Sequence, residues 1–150
     1  QSHLFGIPML RPLVMEYPDD PVAKIQNLSY MLGDSLLIAP GFDRDEYDLY
    51  LPEGQWRNME SKEVYEGRSF VPVENKSFAD GGTSLLVFQK EGTSIPLFAQ
   101  SEVMRVPDGT WKEKDLDFMT FTTRDIAVKI YIPGESREPE CITIQAKKNA

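Results

Sequence analysis

The sequence predicts a mainly β fold, most simply a β-sandwich, and two patterns indicate it. Short apolar runs recur along the 150 residues and are separated by glycine, proline and aspartate, as in strands joined by turns. Within several runs apolar and polar residues alternate, most clearly from Ile126 to Ile132. Nothing after Leu28 has the spacing of a helix of ordinary length. Many short strands at roughly even spacing favour a sandwich over an α/β fold.

The N-terminal quarter is the least regular part. The apolar segment Pro8 to Tyr17 is predicted to be an extended strand with a kink at Pro12. Asp20, which precedes Pro21, is predicted to be the N-cap of a short helix that runs to about Leu28.

The remaining elements are predicted strands. Ser35 to Ala39 is a buried strand ended by Pro40, and Tyr47 to Leu51 alternates, with Tyr47, Leu49 and Leu51 on one face. The other strands are predicted around Trp56, Val64, Phe70–Val73, Leu85–Phe88, Thr93–Ile95, Glu102–Val106, Ile126–Ile132 and Cys141–Ala146.

Composition excludes several classes of function. The net charge of −8 is spread along the chain, and an acidic surface repels phosphate backbones, so nucleic-acid binding is not expected. No apolar run approaches the ~20 residues of a membrane-spanning helix. Cys141 is the only cysteine, so an internal disulfide cannot form. Gln1 to Phe5 has neither an initiator methionine nor a signal-peptide core, so we expect a piece of a longer protein, and the compartment stays open.

Five segments, in chain order, match motifs of a known family. They are Gly6-Ile-Pro-Met-Leu-Arg-Pro-Leu13, Tyr17-Pro-Asp-Asp20, Tyr30-Met-Leu-Gly-Asp-Ser-Leu-Leu-Ile-Ala-Pro40, Tyr50-Leu-Pro-Glu-Gly-Gln-Trp56 and Lys90-Glu-Gly-Thr-Ser-Ile-Pro-Leu97. Together they resemble glycoside hydrolase family 31, the α-glucosidases and α-xylosidases. Gly41 departs from the valine that is usual in the family, and the likeness fades after Leu97.

The resemblance implies a domain plan. Residues 1–28 would be the end of the catalytic barrel and a connecting arm, and residues 29–106 the proximal β-sandwich. Residues 107–150 would be additional strands or a truncated distal β domain. The partners implied are the catalytic barrel of a parent enzyme and, through that enzyme, an α-linked oligosaccharide. The apolar arm is also expected to cause self-association.

The resemblance also implies a chemistry. Members are retaining enzymes, in which one aspartate attacks the anomeric carbon and a second carboxylic acid protonates the leaving oxygen. The motifs that carry these groups in the family do not occur here, so no catalytic residue is assigned, and no cofactor or metal residue either. The run Met15 to Pro21 is closer to the α-xylosidase branch.

Other candidate residues favour structural interpretations. Asp19 and Asp20 are neighbours, which do not face each other across a cleft as a glycosidase pair must, so capping explains them better. The acidic run Asp43, Asp45, Glu46 and Asp48 lacks the glycine and glutamate of a calcium loop. His3 has no partner at metal-ligand spacing, and Cys141 has no neighbouring base.

Trp56 and Trp111 could stack on a sugar ring, although Trp56 lies in a hairpin motif where packing is the better interpretation. The alternative from another class is a free-standing carbohydrate-binding or scaffold module. The arm discriminates between the two: residues 1–17 would end a barrel in an enzyme and have no evident use in a module.

Overall fold

The computed structural model describes residues 6–40, 46–74, 85–98, 116–132 and 140–148. The chain divides into two compact units, residues 2–91 and 92–150. The predicted boundaries at residues 28 and 106 remain predictions. Among the described residues, no helix is both long enough and apolar enough to cross a membrane.

In the first unit, eight strands are described. They are β1 (Leu10–Pro12), β2 (Tyr30–Leu32), β3 (Leu36–Pro40), β4 (Glu46–Leu51), β5 (Gln55–Asn58), β6 (Val64–Glu66), β7 (Ser69–Glu74) and β8 (Leu85–Lys90). Six of them form an antiparallel sheet in the order β1-β2-β3-β8-β5-β6. Strands β4 and β7 form an antiparallel ribbon of their own.

One hydrophobic core joins the sheet and the ribbon. The sheet contributes Met31, Leu37, Trp56 and Phe88, and the ribbon contributes Tyr47, Leu49, Leu51, Val71 and Val73. Because both layers bury one face in the same cluster, this unit has the architecture of a β-sandwich. The predicted mainly β fold is therefore confirmed, as is the inward face of Tyr47, Leu49 and Leu51.

The arm differs from its prediction. Only Leu10–Pro12 is a strand, at the edge of the large sheet beside β2. The chain then forms one turn of α-helix, α1 (Leu13–Glu16), which buries Leu13 completely. The prediction of an extended strand to Tyr17 is thus wrong, because the chain turns at Leu13 to place that side chain in the core.

The predicted helix after Pro21 is shorter than expected. A 3-10 helix covers Ala23–Ile25, and Gln26 is already extended, so the prediction of a helix reaching Leu28 is wrong. Asp20 does cap it, since its Oδ1 accepts hydrogen bonds from the backbone N–H of Val22 (2.8 Å) and of Ala23 (3.1 Å). The capping prediction is confirmed.

The second unit contains two described antiparallel pairs. Strand β9 (Thr93–Phe98) pairs with β10 (Leu116–Phe121), and β11 (Ile126–Ile132) pairs with β12 (Glu140–Ala146). Strands β11 and β12 confirm two predictions, whereas β10 was not predicted from the sequence. The predicted strand Glu102–Val106 lies outside the described residues.

Candidate functional site

A cleft of about 550 Å³ opens in the first unit, between the turn Glu16–Val22 and one face of the β4–β7 ribbon. Its size is within the range of small-molecule sites. The turn supplies Tyr17 and Asp20 to its lining, and the ribbon and its flanking turns supply Tyr50, Glu53, Arg68 and Phe70. Aromatic and charged side chains therefore meet in one concave surface.

Asp20 fixes the turn to the ribbon. Its Oδ1 caps the 3-10 helix, and its Oδ2 accepts a hydrogen bond of 2.7 Å from the Tyr50 hydroxyl. Partial burial by itself would raise the pKa of Asp20. The hydrogen bonds from Tyr50 and from the backbone of Ala23 and Val22, together with the charge of Arg68, outweigh it and lower this pKa below its ordinary value. The carboxylate is thus held charged in a fixed position.

Tyr50 and Phe70 form the aromatic wall of the cleft. They are directly paired in register, with ring centroids 5.2 Å apart and planes tilted by 51°. The pleat places them on the ribbon face opposite to Leu49 and Val71, which point into the core. Tyr50 is buried, and burial first, then its bond to Asp20, raises its pKa to about 12. Phe70 is 54% exposed and offers a ring to the cleft.

A charged pair forms the rim of the cleft. An Nη of Arg68 donates a hydrogen bond of 2.7 Å to a carboxylate oxygen of Glu53, and both side chains are mostly exposed. A guanidinium carries five N–H groups, and this bond uses one of them. Arg68 has a positive φ of 54° in the turn before β7, where the backbone N–H of Gly67 bonds to the carbonyl of Gly54 (2.6 Å). The rim is therefore built on a tight turn.

Tyr17 also lines the cleft. Burial is the main reason that its pKa is raised, with added effects from Glu16, Glu53 and Asp34. The ammonium of Lys90 lies 4.9 Å from the centroid of its ring, within reach of a cation–π interaction. Its hydroxyl is buried and has no hydrogen-bond partner among the described residues.

Among the other predicted residues that the structure describes, Asp19 alone lines the cleft. Asp19 is exposed and adjacent to Asp20 in the turn. Trp56 is fully buried and donates through Nε1 to the carbonyl of Pro52 (2.8 Å), which confirms the packing interpretation. Cys141 is exposed on β12. His3, Asp43, Asp45 and Trp111 lie outside the described residues.

No metal centre is formed within the described ranges, where no three His, Cys, Asp or Glu side chains come close enough to hold an ion. No sequence pattern predicted this cleft. Its signal is an exposed aromatic residue, Phe70, on the outward face of an alternating strand whose inward positions are Val71 and Val73.

The charge of Asp20 makes part of the stability dependent on pH. A carboxyl with a lowered folded-state pKa stabilises the fold above its unfolded pKa, and this stabilisation is lost as pH falls through the folded value. We expect Asp20→Asn to flatten the acid limb of a plot of unfolding free energy against pH, because asparagine has no carboxyl group to titrate. Asparagine can still cap the helix, so the fold should be kept. Asp19→Asn, which removes the exposed neighbouring carboxylate, is the matched control for the change in net charge. Identical acid limbs for wild type and Asp20→Asn would contradict this assignment.

The comparisons with known proteins agree with this fold. The family model described as "Glycosyl hydrolase family 31 C-terminal domain" matches residues 6–104. Human neutral alpha-glucosidase AB is 34% identical over 102 residues, which are 64% of this chain and 10% of that protein. Alpha-xylosidase XylQ of Lactiplantibacillus pentosus is 30% identical over 122 residues, or 81% of this chain and 15% of that protein.

The cycloalternan-forming enzyme of Listeria monocytogenes, solved in complex with a pentasaccharide substrate, superposes with a TM-score of 0.71 and 26% identity. The match covers 95% of this chain and 13% of that enzyme. These matches define a β-rich C-terminal domain of a glycoside hydrolase. The chain belongs to glycosyl hydrolase family 31, in its C-terminal domain, and spans only 10% and 15% of the length of the two relatives above.

Proposed function

We propose that this chain is the non-catalytic C-terminal part of a larger retaining α-glycosidase and that it supports the catalytic barrel. The relatives named as alpha-glucosidase and alpha-xylosidase suggest hydrolysis of an α-linked oligosaccharide. The reaction would take place in the barrel, through two carboxylic acids that flank the scissile bond. Residues 1–28 would be the barrel-derived arm, residues 29–106 the sandwich, and residues 107–150 further β structure.

The single observation that carries this function is an apolar face on the arm. Five apolar side chains within nine residues are exposed, with exposed fractions of 66% for Met9, 60% for Leu10 and 50% for Met15, beside Ile7 and Val14. Scattered exposed apolar residues are normal on a protein surface, but a concentration of them in one short segment marks an interaction surface.

Buried side chains and an ion pair hold the apolar face of the arm in place. Leu13 and Arg11 are buried, and Arg11 forms an ion pair with Glu16 across α1. Leu10 is directly paired with Leu32 of β2, which is 39% exposed, so these two side chains lie on the same face of the sheet edge. A fixed apolar surface of this kind suits permanent packing against a barrel, since little conformational entropy is lost when the partner docks.

Without its partner, this face should cause self-association. We expect the wild-type chain to show concentration-dependent sedimentation in analytical ultracentrifugation. The double variant Leu10→Ser/Met15→Ser should remain monomeric over a concentration range at least about tenfold wider, since each buried apolar side chain contributes about 1.5 kcal/mol or more.

A matched control separates the arm from general surface hydrophobicity. Val64 is on β6, at the opposite edge of the large sheet, and Leu85 is at the start of β8; their exposed fractions are 51% and 57%. The control Val64→Ser/Leu85→Ser should therefore associate like the wild type. A monomeric wild type, or equal weakening by both double variants, would rule out the arm as the docking face.

A further inference from the structure

We propose that the cleft between the turn Glu16–Val22 and the β4–β7 ribbon binds a neutral, α-linked oligosaccharide. Phe70 would be the stacking platform, and the charged rim pair Arg68 and Glu53 would bind hydroxyl groups. The choice of an α-linked sugar rests on the proposed function. The binding itself does not depend on the barrel.

The shape and chemistry of the cleft favour a sugar ring. The C–H face of a pyranose is apolar and packs on an aromatic face, while its hydroxyls need donors and acceptors at the edge. Phe70 gives an exposed ring in the wall, and the Arg68–Glu53 pair gives both donors and acceptors at the rim. A volume of about 550 Å³ leaves room for a short oligosaccharide.

The charges argue against other ligands. The lining carries four carboxylates, those of Glu16, Asp19, Asp20 and Glu53, and a single arginine, so an anion such as phosphate would be repelled. A metal ion is disfavoured because the carboxylate of Asp20 is already used by three hydrogen bonds, and Glu53 is paired with Arg68. A neutral polyol carries no charge that the cleft would have to balance, and its hydroxyl groups can bond to both Arg68 and Glu53.

The site is organised before any ligand arrives. Asp20 ties the turn to Tyr50, and Tyr50 packs against Phe70 at 5.2 Å, so the platform is held at a fixed angle. The tight turn at Gly67 sets the position of Arg68. A site whose groups are already positioned loses less entropy on binding, which permits a weak ligand such as a sugar to be held.

Titration of the full 150-residue chain with maltotriose or isomaltotriose, followed by amide chemical shifts, tests the site. We expect saturable binding with shifts concentrated in the turn and the ribbon. Phe70→Ala should weaken binding by about tenfold or more, since a stacked ring contributes about 1 kcal/mol beyond its burial. Arg68→Ala should weaken binding by about the same factor, because the rim loses its hydrogen-bond donors. Phe70→Tyr should bind like the wild type, and Leu85→Ala, outside the cleft, is the matched control.

The results of this titration distinguish the sugar site from the supporting role of the chain. Absence of binding to both sugars, with a folded chain, would overturn the proposal, as would binding that Phe70→Ala and Arg68→Ala leave unchanged. If the sugars do not bind but a catalytic barrel shifts the same resonances, then the cleft belongs to a protein interface. That result would overturn the sugar site and leave the supporting role of the chain intact. Conversely, sugar binding without barrel association would keep the site and contradict that role.

Discussion

Trp56→Ala is expected to lower the free energy of unfolding by about 3–5 kcal/mol. Trp56 is fully buried in the core of the first unit, and its Nε1 bonds to the carbonyl of Pro52 at 2.8 Å. Alanine leaves a large cavity and also leaves that buried carbonyl without its donor. Because whole domains are stable by only about 5–15 kcal/mol, a shift of this size is easily seen in urea or thermal unfolding.

The effect should be one of stability alone. Trp56→Phe keeps most of the buried area and loses the indole hydrogen bond, so we expect about half of the destabilisation or less. Sugar affinity, measured under conditions where the variant is folded, should match the wild type, because Trp56 does not line the cleft. An unchanged melting temperature combined with lost sugar binding would contradict the packing role and assign Trp56 to a binding surface.

Gly67→Ala is expected to destabilise the first unit by about 3 kcal/mol or more, at the upper end of the cost of overpacking. A Cβ at Gly67 would lie 1.9 Å from the carbonyl oxygen of Pro52 and 2.6 Å from that of Gly54. Both neighbours are backbone atoms, so no side chain can swing away. The turn would have to open and break the bond from the Gly67 N–H to the Gly54 carbonyl.

Gly33→Ala is the matched control for this substitution. Gly33 has a φ of +64° but open space around its Cβ position, so alanine there meets only backbone strain, about 1–2 kcal/mol. Gly67→Ala should therefore cost clearly more in equilibrium unfolding. It should also weaken sugar binding, since Arg68 follows directly in the same turn. Equal destabilisation by the two variants would show that the turn at Gly67 has more room than the structure gives it.

The strands and the core could be predicted from the sequence because their side chains alternate with a period of two. The ribbon strand Glu46–Leu51 is a clear case, since its apolar positions Tyr47, Leu49 and Leu51 are buried. The alternation from Ile126 to Ile132 likewise coincides with a strand of the same bounds. Strand Leu116–Phe121 was missed because both of its faces carry apolar residues, so its alternation is weak.

The irregular N-terminal quarter could not be predicted locally, because tertiary contacts decide it. The segment Leu13–Glu16 forms a helical turn to bury Leu13. The 3-10 helix ends at Ile25, which is 77% exposed, and the backbone is already extended at Gln26. The cleft could not be predicted locally either. It depends on the hydrogen bond of 2.7 Å from the Tyr50 hydroxyl to the Asp20 carboxylate, and these residues are 30 positions apart in the chain.

The proposed supporting role of the chain is tested most directly by adding it to the separately produced catalytic barrel of the enzyme that we propose as its parent. Hydrolysis of an aryl α-glucoside or α-xyloside and the melting temperature of the barrel would be followed as a function of chain concentration.

We expect no turnover by the chain alone and a saturable rise in barrel stability and activity. Leu10→Ser/Met15→Ser should need about tenfold more chain for the same rise, and Val64→Ser/Leu85→Ser no more than wild type. A barrel that is fully active and unaffected by the chain, or turnover by the purified chain alone, would contradict this role.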